Sequence, residues 1–164
     1  GKSTHISQLM RNKGAVVALD VNMERMQALR SNVQRLGVTN TLMYRMKAQD
    51  VGELGLKFDK ILLDSPCTGE GTIRKNPERK KLEKEDFDHY SELQKDLISK
   101  AESVLKKGGT LLYSTCSIAP EENEEVVEYA KKNLVDMNAL AVSTAEIADG
   151  VSYFDILLSR TAKR

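Results

Sequence analysis

The chain has 164 residues, of which 40% are hydrophobic and 30% charged, and its formal net charge is +1. This length and balance fit one soluble globular domain, with no apolar run near the roughly 20 residues of a membrane-spanning helix. Two cysteines with no further Cys/His cluster predict neither a disulfide framework nor a metal site, and we expect a reducing, cytoplasmic setting.

Helical and strand-like periodicities alternate along the chain, which predicts an α/β fold with a largely parallel sheet. In chain order the predicted elements are a helix over 3–13, a strand over 15–19, a helix over 23–36, strands over 41–45 and 60–64, a helix over 86–106, a strand over 111–114, a helix from 120 to about 133 and a strand over 153–158. In the first helix we expect Ile6, Leu9 and Met10 to share the buried face. Residues 65–85 form a long polar loop, and such loops in compact domains are typically functional.

Each of the two cysteines follows a predicted strand. Cys67 comes soon after the strand over 60–64, and Cys116 follows the strand over 111–114. The carboxyl ends of parallel strands share the edge of the sheet that binds ligands, and a thiolate is a nucleophile. Two thiols at this edge indicate nucleophilic chemistry with a second group that completes the reaction. The alternative is that both are small buried hydrophobic residues, as free cysteines usually are.

The residues around Cys67 suit a ligand-binding turn. Pro66 stiffens the turn, the following glycines allow a close backbone approach, and Asp64 can accept hydrogen bonds from an amino group or a protonated ring nitrogen. Asp20, which closes the strand over 15–19, fits the ribose-binding position of doubly wound nucleotide folds. A helix-capping or turn role for Asp20 is the alternative.

The segment 74–84 is the local basic patch of the chain. Six of its eleven residues are basic and two are acidic. It directly follows the Cys67 turn, where the phosphates of a bound RNA could pass. It contains no aromatic residue for base stacking, and a solvated loop of mixed charge is the alternative.

Two long motifs resemble one enzyme family. Residues 64–71, D-S-P-C-T-G-E-G, resemble the D-A-P-C-S-G-x-G motif of the Nop/Sun-type (RsmB-like) RNA cytosine-C5 methyltransferases. Residues 113–124 are similar to that family's Y-S-T-C-S-x-x-P-x-E-N-E motif, and residues 1–4, G-K-S-T, to the end of its A-P-G-G-K-T cofactor loop. The R-x-N-P pattern is present at residues 74–77. The resemblance runs from residue 1 to about residue 133.

This resemblance implies a Rossmann-like class I fold that uses S-adenosylmethionine, with helices on both faces of the sheet. It implies methylation of carbon 5 of cytosine in rRNA or tRNA, with the target base unstacked from its neighbours. By resemblance, Cys116 attacks carbon 6, and Cys67 assists release of the carbon 5 proton, which lets the Cys116 adduct eliminate. Asp64 holds N3 and N4 of the base, and Lys2 lies near the cofactor and the nucleophile. The implied cofactor-binding residues are Gly1, Lys2, Asp20, Arg25, Asp50 and Asp64, and the implied substrate-binding residues are Pro66, Arg74 and Asn76.

The chain also departs from the family pattern. It begins inside the cofactor loop, so we expect residues 1–164 to be an N-terminally truncated catalytic domain whose first strand is missing. Residues 134–153 form a shorter stretch than the family's loop. The alternative to cofactor binding is that Arg25 is a solvated helix residue and Asp50 a loop residue.

RNA is the expected partner, and we expect a monomer without a metal or a membrane contact. A truncated, inactive domain that binds RNA or cofactor is the main functional alternative. A methyltransferase acting on an exocyclic amine would normally show an Asn/Asp-Pro-Pro-aromatic loop, which is absent from the sequence. A nicotinamide oxidoreductase would show a complete G-x-G-x-x-G loop, and the sequence has none.

Overall fold

The computed structural model describes residues 1–134 and 138–143. The chain divides into two compact units, the first covering Gly1–Leu54 and the second beginning at Gly55. The strand predicted over 153–158 lies outside the described residues. Every described strand pairing is parallel, as the alternation of elements in the sequence predicts.

The first unit contains a two-stranded parallel sheet and two α-helices. Its elements are α1 (Lys2–Leu9), β1 (Val16–Leu19), α2 (Met23–Arg35), β2 (Thr41–Tyr44) and a 3₁₀ helix (Ala48–Leu54). The helix α2 confirms the predicted N-cap, because the Asn22 side chain accepts a hydrogen bond of 2.9 Å from the backbone N–H of Arg25. Strand β1 ends at Leu19, so Asp20 is the first residue beyond the carboxyl end of that strand.

Helix α1 is shorter than predicted. It ends at Leu9 instead of residue 13, because Arg11 (φ 52°) and Asn12 (φ 57°) adopt the left-handed conformation. Asparagine tolerates this conformation, and its side chain here donates to the carbonyl of Gly37 at 3.0 Å and accepts from the N–H of Thr39 at 3.2 Å. Long-range bonds of one side chain therefore end the helix, and its periodicity does not reveal them.

The predicted buried face of α1 is also wrong. The buried positions are Thr4 and Ser7, and Leu9 is 42% exposed. The Ser7 hydroxyl lies 2.8 Å from the hydroxyl of Thr41 at the start of β2. Two small polar residues therefore make the close contact between helix and sheet in this unit. Two of the residues expected on the buried face are half-buried: Ile6 and Met10.

The second unit contains a three-stranded parallel sheet in the order β3-β4-β5. Its elements are β3 (Phe58–Asp64), 3₁₀ helices over Glu70–Thr72 and Pro77–Lys81, α3 (Lys84–Ser103), β4 (Leu105–Thr115), a 3₁₀ helix over Pro120–Glu122, α4 (Glu124–Asn133) and β5 (Asn138–Ser143). Strand β5 lies in a stretch that the sequence analysis treats as a loop. The long loop predicted over 65–85 is mostly irregular, as expected, with two short 3₁₀ turns.

Strand β4 is longer than the predicted 111–114, because Gly108 and Gly109 lie in an irregularity within the strand. Phe58 pairs with Leu105, and regular pairing resumes at Lys60 opposite Thr110. Gly108 has a φ of 72°, which favours glycine. The preceding helix α3 ends at Ser103, before the glycines, instead of reaching the predicted residue 106.

The core of the second unit places the ends of β3 and β4 side by side. Leu111 and Tyr113 of β4 pack in the interior with Ile98 of α3 and Val126 of α4, each at most 2% exposed. The register aligns the last residue of β3, Asp64, with Ser114. Both cysteine segments therefore leave the sheet at the same edge.

Candidate active site

The structure brings Cys67 and Cys116 together. Their Sγ atoms are 2.9 Å apart, and the backbone N–H of Cys116 donates to Cys67 Sγ at 3.2 Å. Both thiols are free and half-buried. Cys116 directly follows β4, and Cys67 lies shortly after the end of the parallel neighbour β3, so the sheet brings the two segments to the same edge.

The environment of Cys67 keeps this residue protonated. Burial is the main cause that raises the pKa of the Cys67 thiol to about 12, and the hydrogen bond with Cys116 and the charge of Glu122 act in the same direction. At neutral pH Cys67 is therefore a neutral thiol that can donate a hydrogen bond to its neighbour. Cys67 can therefore act as an S–H donor toward the sulfur of Cys116.

The raised pKa of Cys67 predicts an alkaline loss of stability. The unfolded chain releases this proton near the ordinary pKa of 9.0, whereas the folded chain holds it to about 12. The folded state therefore binds more protons in this window, and stability falls as the pH rises through it. We expect the free energy of unfolding, measured in urea, to fall less steeply above pH 9 in Cys67→Ala than in the unchanged protein. If the free energies of unfolding of the two proteins fell equally steeply above pH 9, the raised pKa would not belong to Cys67.

Two glycines allow the Cys67 segment to pass close to Cys116. Gly69 has a φ of 67°, and a methyl group built on it would meet the Arg79 guanidinium and lie 3.2 Å from Cys116 Sγ. A methyl group on Gly71 would lie 2.7 Å from the carbonyl oxygen of Cys116. The guanidinium of Arg79 and the thiol of Cys116 therefore flank the same face of Gly69, and only hydrogen fits between them.

A buried polar network supports both cysteine turns. The Glu122 carboxylate accepts hydrogen bonds from the backbone N–H of Thr68 at 3.0 Å and from the Gln94 amide at 2.8 Å. The Gln94 amide also donates to the carbonyl of Pro66 at 2.9 Å. Glu122 and Gln94 are completely buried, and Thr68 is nearly so. The residues on both sides of Cys67 are thus fixed from the protein interior.

The turn after Cys116 is held by Asn123. Its Oδ1 accepts from the Thr115 hydroxyl at 2.8 Å, and its Nδ2 donates to the carbonyls of Ser117 at 3.1 Å and Ala119 at 2.8 Å. These bonds satisfy backbone groups that no helix or sheet would pair. Cys116 therefore sits at the start of a rigid turn.

The remaining predicted residues of the second unit lie around this turn. Asp64 is exposed at the end of β3, and Pro66 is exposed. Arg74 is exposed, whereas the Asn76 side chain donates to the Thr72 hydroxyl at 3.0 Å and so stabilises the turn. Asp64 and Arg74 are thus accessible to a ligand, and the Asn76 amide already has a structural partner.

The predicted cofactor residues other than Asp64 belong to the first unit. Asp20 accepts from the N–H of Asn22 at 2.8 Å, and its second oxygen lies 3.5 Å from Nε of the largely exposed Arg25. The structure therefore shows the turn role for Asp20, with acceptor capacity left on its second oxygen. The other three candidates are the N-cap residue Gly1, the exposed Lys2 in α1, and the half-buried Asp50 in a 3₁₀ helix.

Over residues 1–134 and 138–143, no group of three or more His, Cys, Asp or Glu side chains is arranged to hold a metal ion. In the same part of the chain, no helix is long and apolar enough to cross a membrane.

Comparison with known proteins identifies the family. The model of the 16S rRNA methyltransferase RsmB/F family matches residues 1–155. The chain belongs to this family. Among its relatives, ribosomal RNA small subunit methyltransferase F of Shewanella piezotolerans is 42% identical, over 82% of this chain and 29% of its own length. The tRNA (cytosine(72)-C(5))-methyltransferase of Pyrococcus horikoshii is 41% identical, over 79% of this chain and 33% of its own.

Solved structures agree with this assignment. The structure of NSun6 from Pyrococcus horikoshii with SFG has a TM-score of 0.74 and 38% identity, and covers 80% of this chain and 34% of that one. This likeness confirms the Rossmann-like methyltransferase fold expected for an RsmB/F member. The chain spans about a third or less of the length of the two curated relatives.

Sequence reasoning missed three residues that shape this RsmB/F site. Glu122 lies inside the second motif, and a glutamate two residues after a proline reads as an ordinary helix-start residue. Gln94 lies in no motif, and its only signal is a polar residue on the face of α3 that also carries Leu97 and Ile98. Arg79 lies inside the basic segment, but its reach back to Gly69 depends on the 3₁₀ turn.

Proposed function

We propose that the protein transfers a methyl group from S-adenosylmethionine to carbon 5 of cytosine in rRNA or tRNA, with Cys116 as nucleophile. The observation that carries this proposal is the pair of cysteines 2.9 Å apart, one of them held as a neutral thiol. Membership of the RsmB/F family supports it, as do relatives named as rRNA and tRNA methyltransferases.

Carbon 5 of cytosine is a poor nucleophile on its own. The reaction therefore requires an enzyme group that first adds to carbon 6. Bond formation between Cys116 Sγ and carbon 6 moves an electron pair to carbon 5, which can then accept a methyl group. S-adenosylmethionine, when bound, supplies that methyl group as a sulfonium substituent. Loss of the carbon 5 proton to water and cleavage of the sulfur–carbon 6 bond then restore the aromatic ring and free Cys116 as a thiolate.

Cys67 fits the release step. When the bond to carbon 6 breaks, the electron pair returns to Cys116 Sγ, which leaves as a thiolate. The neutral Cys67 thiol, 2.9 Å away, can donate a hydrogen bond to this sulfur as the charge develops, while keeping its own proton. We therefore assign to the protonated Cys67 a hydrogen bond to the leaving sulfur, in place of the release of the carbon 5 proton that the resemblance implies for it.

Asp64 is positioned to hold the base. Its exposed carboxylate ends β3, beside Ser114 of the strand that leads to Cys116. An ionised carboxylate accepts hydrogen bonds from the N4 amino group and from a protonated N3. It therefore stabilises the positive charge on N3 that accompanies attack at carbon 6.

The polar side chains of the first unit suit the binding of S-adenosylmethionine. The free acceptor capacity of Asp20 at the end of a parallel strand suits ribose hydroxyls, and Asp50 suits the adenine amino group. Gly1, Lys2 and Arg25 complete the proposed set. SFG, the ligand in the structure of the archaeal relative, is an analogue of S-adenosylmethionine, which supports this cofactor.

The basic segment 74–84 supplies the proposed RNA contact. Its positive charges follow the Cys67 turn, where they can bind phosphates flanking an unstacked target base. Arg74 is exposed for this role, while Pro66 and Asn76 shape the surface of the turn.

The test is a covalent trap on the full-length protein, with S-adenosylmethionine and RNA that contains 5-fluorocytosine. Fluorine cannot leave carbon 5 as a proton, so the Cys116 adduct should persist after methyl transfer and survive denaturation. We expect the adduct in the unchanged protein and in Cys67→Ala, and none in Cys116→Ala. Absence of any adduct with rRNA and tRNA substrates, while cofactor binding is intact, would instead favour a domain that binds without turnover.

A further inference from the structure

The completely buried Glu122 lies between the two cysteine turns and has no role in the chemistry above. Three donors converge on its carboxylate: the N–H and the hydroxyl of Thr68, and the amide of Gln94. A carboxyl group that only accepts hydrogen bonds has the pattern of an ionised carboxylate. A charge buried at this depth costs free energy unless hydrogen-bond donors pair it well. Its presence beside the two cysteines therefore indicates a role in the site.

The same carboxylate connects three parts of the site. Gln94 of α3 bridges it to the carbonyl of Pro66, just before Cys67. Thr68, just after Cys67, binds both of its oxygens. The Tyr113 hydroxyl donates to the backbone carbonyl of Glu122 at 2.7 Å, which ties this residue to β4. Cys67 is therefore held from both sides through one side chain.

Glu122 also acts on Cys67 through its charge. Its negative charge is among the causes that raise the pKa of the Cys67 thiol, after burial and the contact with Cys116. The same charge, second to burial, also raises the pKa of Glu70 and the pKa of Tyr113. No cationic group is among the causes for these residues, and at Cys67 the backbone N–H of Cys116 is the one opposing cause, so the surroundings favour a proton on Cys67.

We propose that Glu122 is a positioning residue that holds Cys67 beside Cys116 as a protonated thiol, with Gln94 and Thr68 fixing the carboxylate. The placement of Cys67 stands on these hydrogen bonds, and its protonation on burial together with the contact with Cys116 and the nearby charge of Glu122. Their consequence for turnover rests on the proposed function, in which Cys67 donates to the departing Cys116 thiolate.

The substitution Glu122→Gln separates charge from shape. The amide oxygen can still accept from Thr68 N–H and Gln94, and the amide nitrogen can donate to the Thr68 hydroxyl, which then turns to Ser117 Oγ 3.3 Å away. In the full-length protein carrying Cys116→Ser, we expect iodoacetamide to alkylate Cys67 roughly threefold faster or more, because the thiolate fraction rises. Mass spectrometry of the Cys67 peptide over alkaline pH measures this rate. Glu124→Gln, an exposed carboxylate two residues on, is the matched control and should change nothing.

Turnover gives the second readout. With Cys116 intact, Glu122→Gln should lower kcat with little change in KM for RNA, and a covalent complex with ordinary RNA should accumulate. Gln94→Leu keeps the charge of Glu122 and removes the amide that donates to it. The pH profile of Cys67 alkylation in Gln94→Leu should therefore lie closer to that of the unchanged protein than the profile of Glu122→Gln does. An unchanged alkylation rate in Glu122→Gln would overturn this proposal while the covalent trap still succeeds. A failed trap in the unchanged protein would overturn only the proposed function.

Discussion

Replacing Cys116 with alanine should reduce methyl transfer on the order of 10⁴-fold or more, the scale expected when a covalent nucleophile is lost. The reason is that Cys67 is the one described group that could take the place of Cys116. Cys67 is held as a thiol with a pKa of about 12, so it does not attack carbon 6. Release of tritium from carbon 5 of labelled cytosine in RNA measures the loss. Cofactor binding, which the proposal assigns to residues outside the cysteine turns, should remain.

The matched variant is Cys67→Ala, which should fail at a different step. Addition and methyl transfer can still occur through Cys116, but the departing thiolate loses its hydrogen-bond donor. We therefore expect a protein–RNA complex that resists denaturation and contains ordinary, non-fluorinated cytosine. Turnover by Cys116→Ala within tenfold of the unchanged protein, or the same covalent complex in both variants, would refute the assigned roles.

The closeness of the two cysteines could be predicted because both occupy local motifs at the ends of strands. The strand preceding each cysteine is a short apolar run, and parallel pairing brings the two ends together whatever the details of the loops. The approach of Cys67 to Cys116 therefore follows from sequence and topology. The cap of α2 is equally local, because Asn22 and Arg25 are three residues apart.

The rest depends on contacts between distant residues, which periodicity does not encode. Helix α1 turns Thr4 and Ser7 inward because a close approach to Thr41 favours small hydroxyl side chains over Leu9. Gln94 is recognisable as part of the site only once α3 lies against the Cys67 turn, 28 residues away along the chain. A polar residue on an apolar helix face is the one sequence signal that could have drawn attention to it.

The closest backbone contact of the site predicts a large effect from one added methyl group. In Gly71→Ala, the new Cβ would lie 2.7 Å from the carbonyl oxygen of Cys116, and a backbone atom cannot turn aside as a flexible side chain can. The segment cannot easily move away either, because Thr68, three residues earlier, donates its backbone N–H to the buried Glu122 carboxylate at 3.0 Å. The two cysteine segments must therefore shift apart.

A displacement of this kind acts on geometry that the reaction needs. Misplacing reacting groups by about 1 Å costs on the order of 10²-fold in rate, and overpacking costs about 1–3 kcal/mol in stability. We expect kcat for Gly71→Ala to fall roughly 10²-fold while most of the protein stays folded, as measured by tritium release and urea unfolding. Gly52→Ala is the control, because no atom lies within 4 Å of its added methyl group and its φ is not positive. Full activity in Gly71→Ala would show that the cysteine pair does not depend on this contact, because the segment would then have relaxed without moving Cys67 away from Cys116.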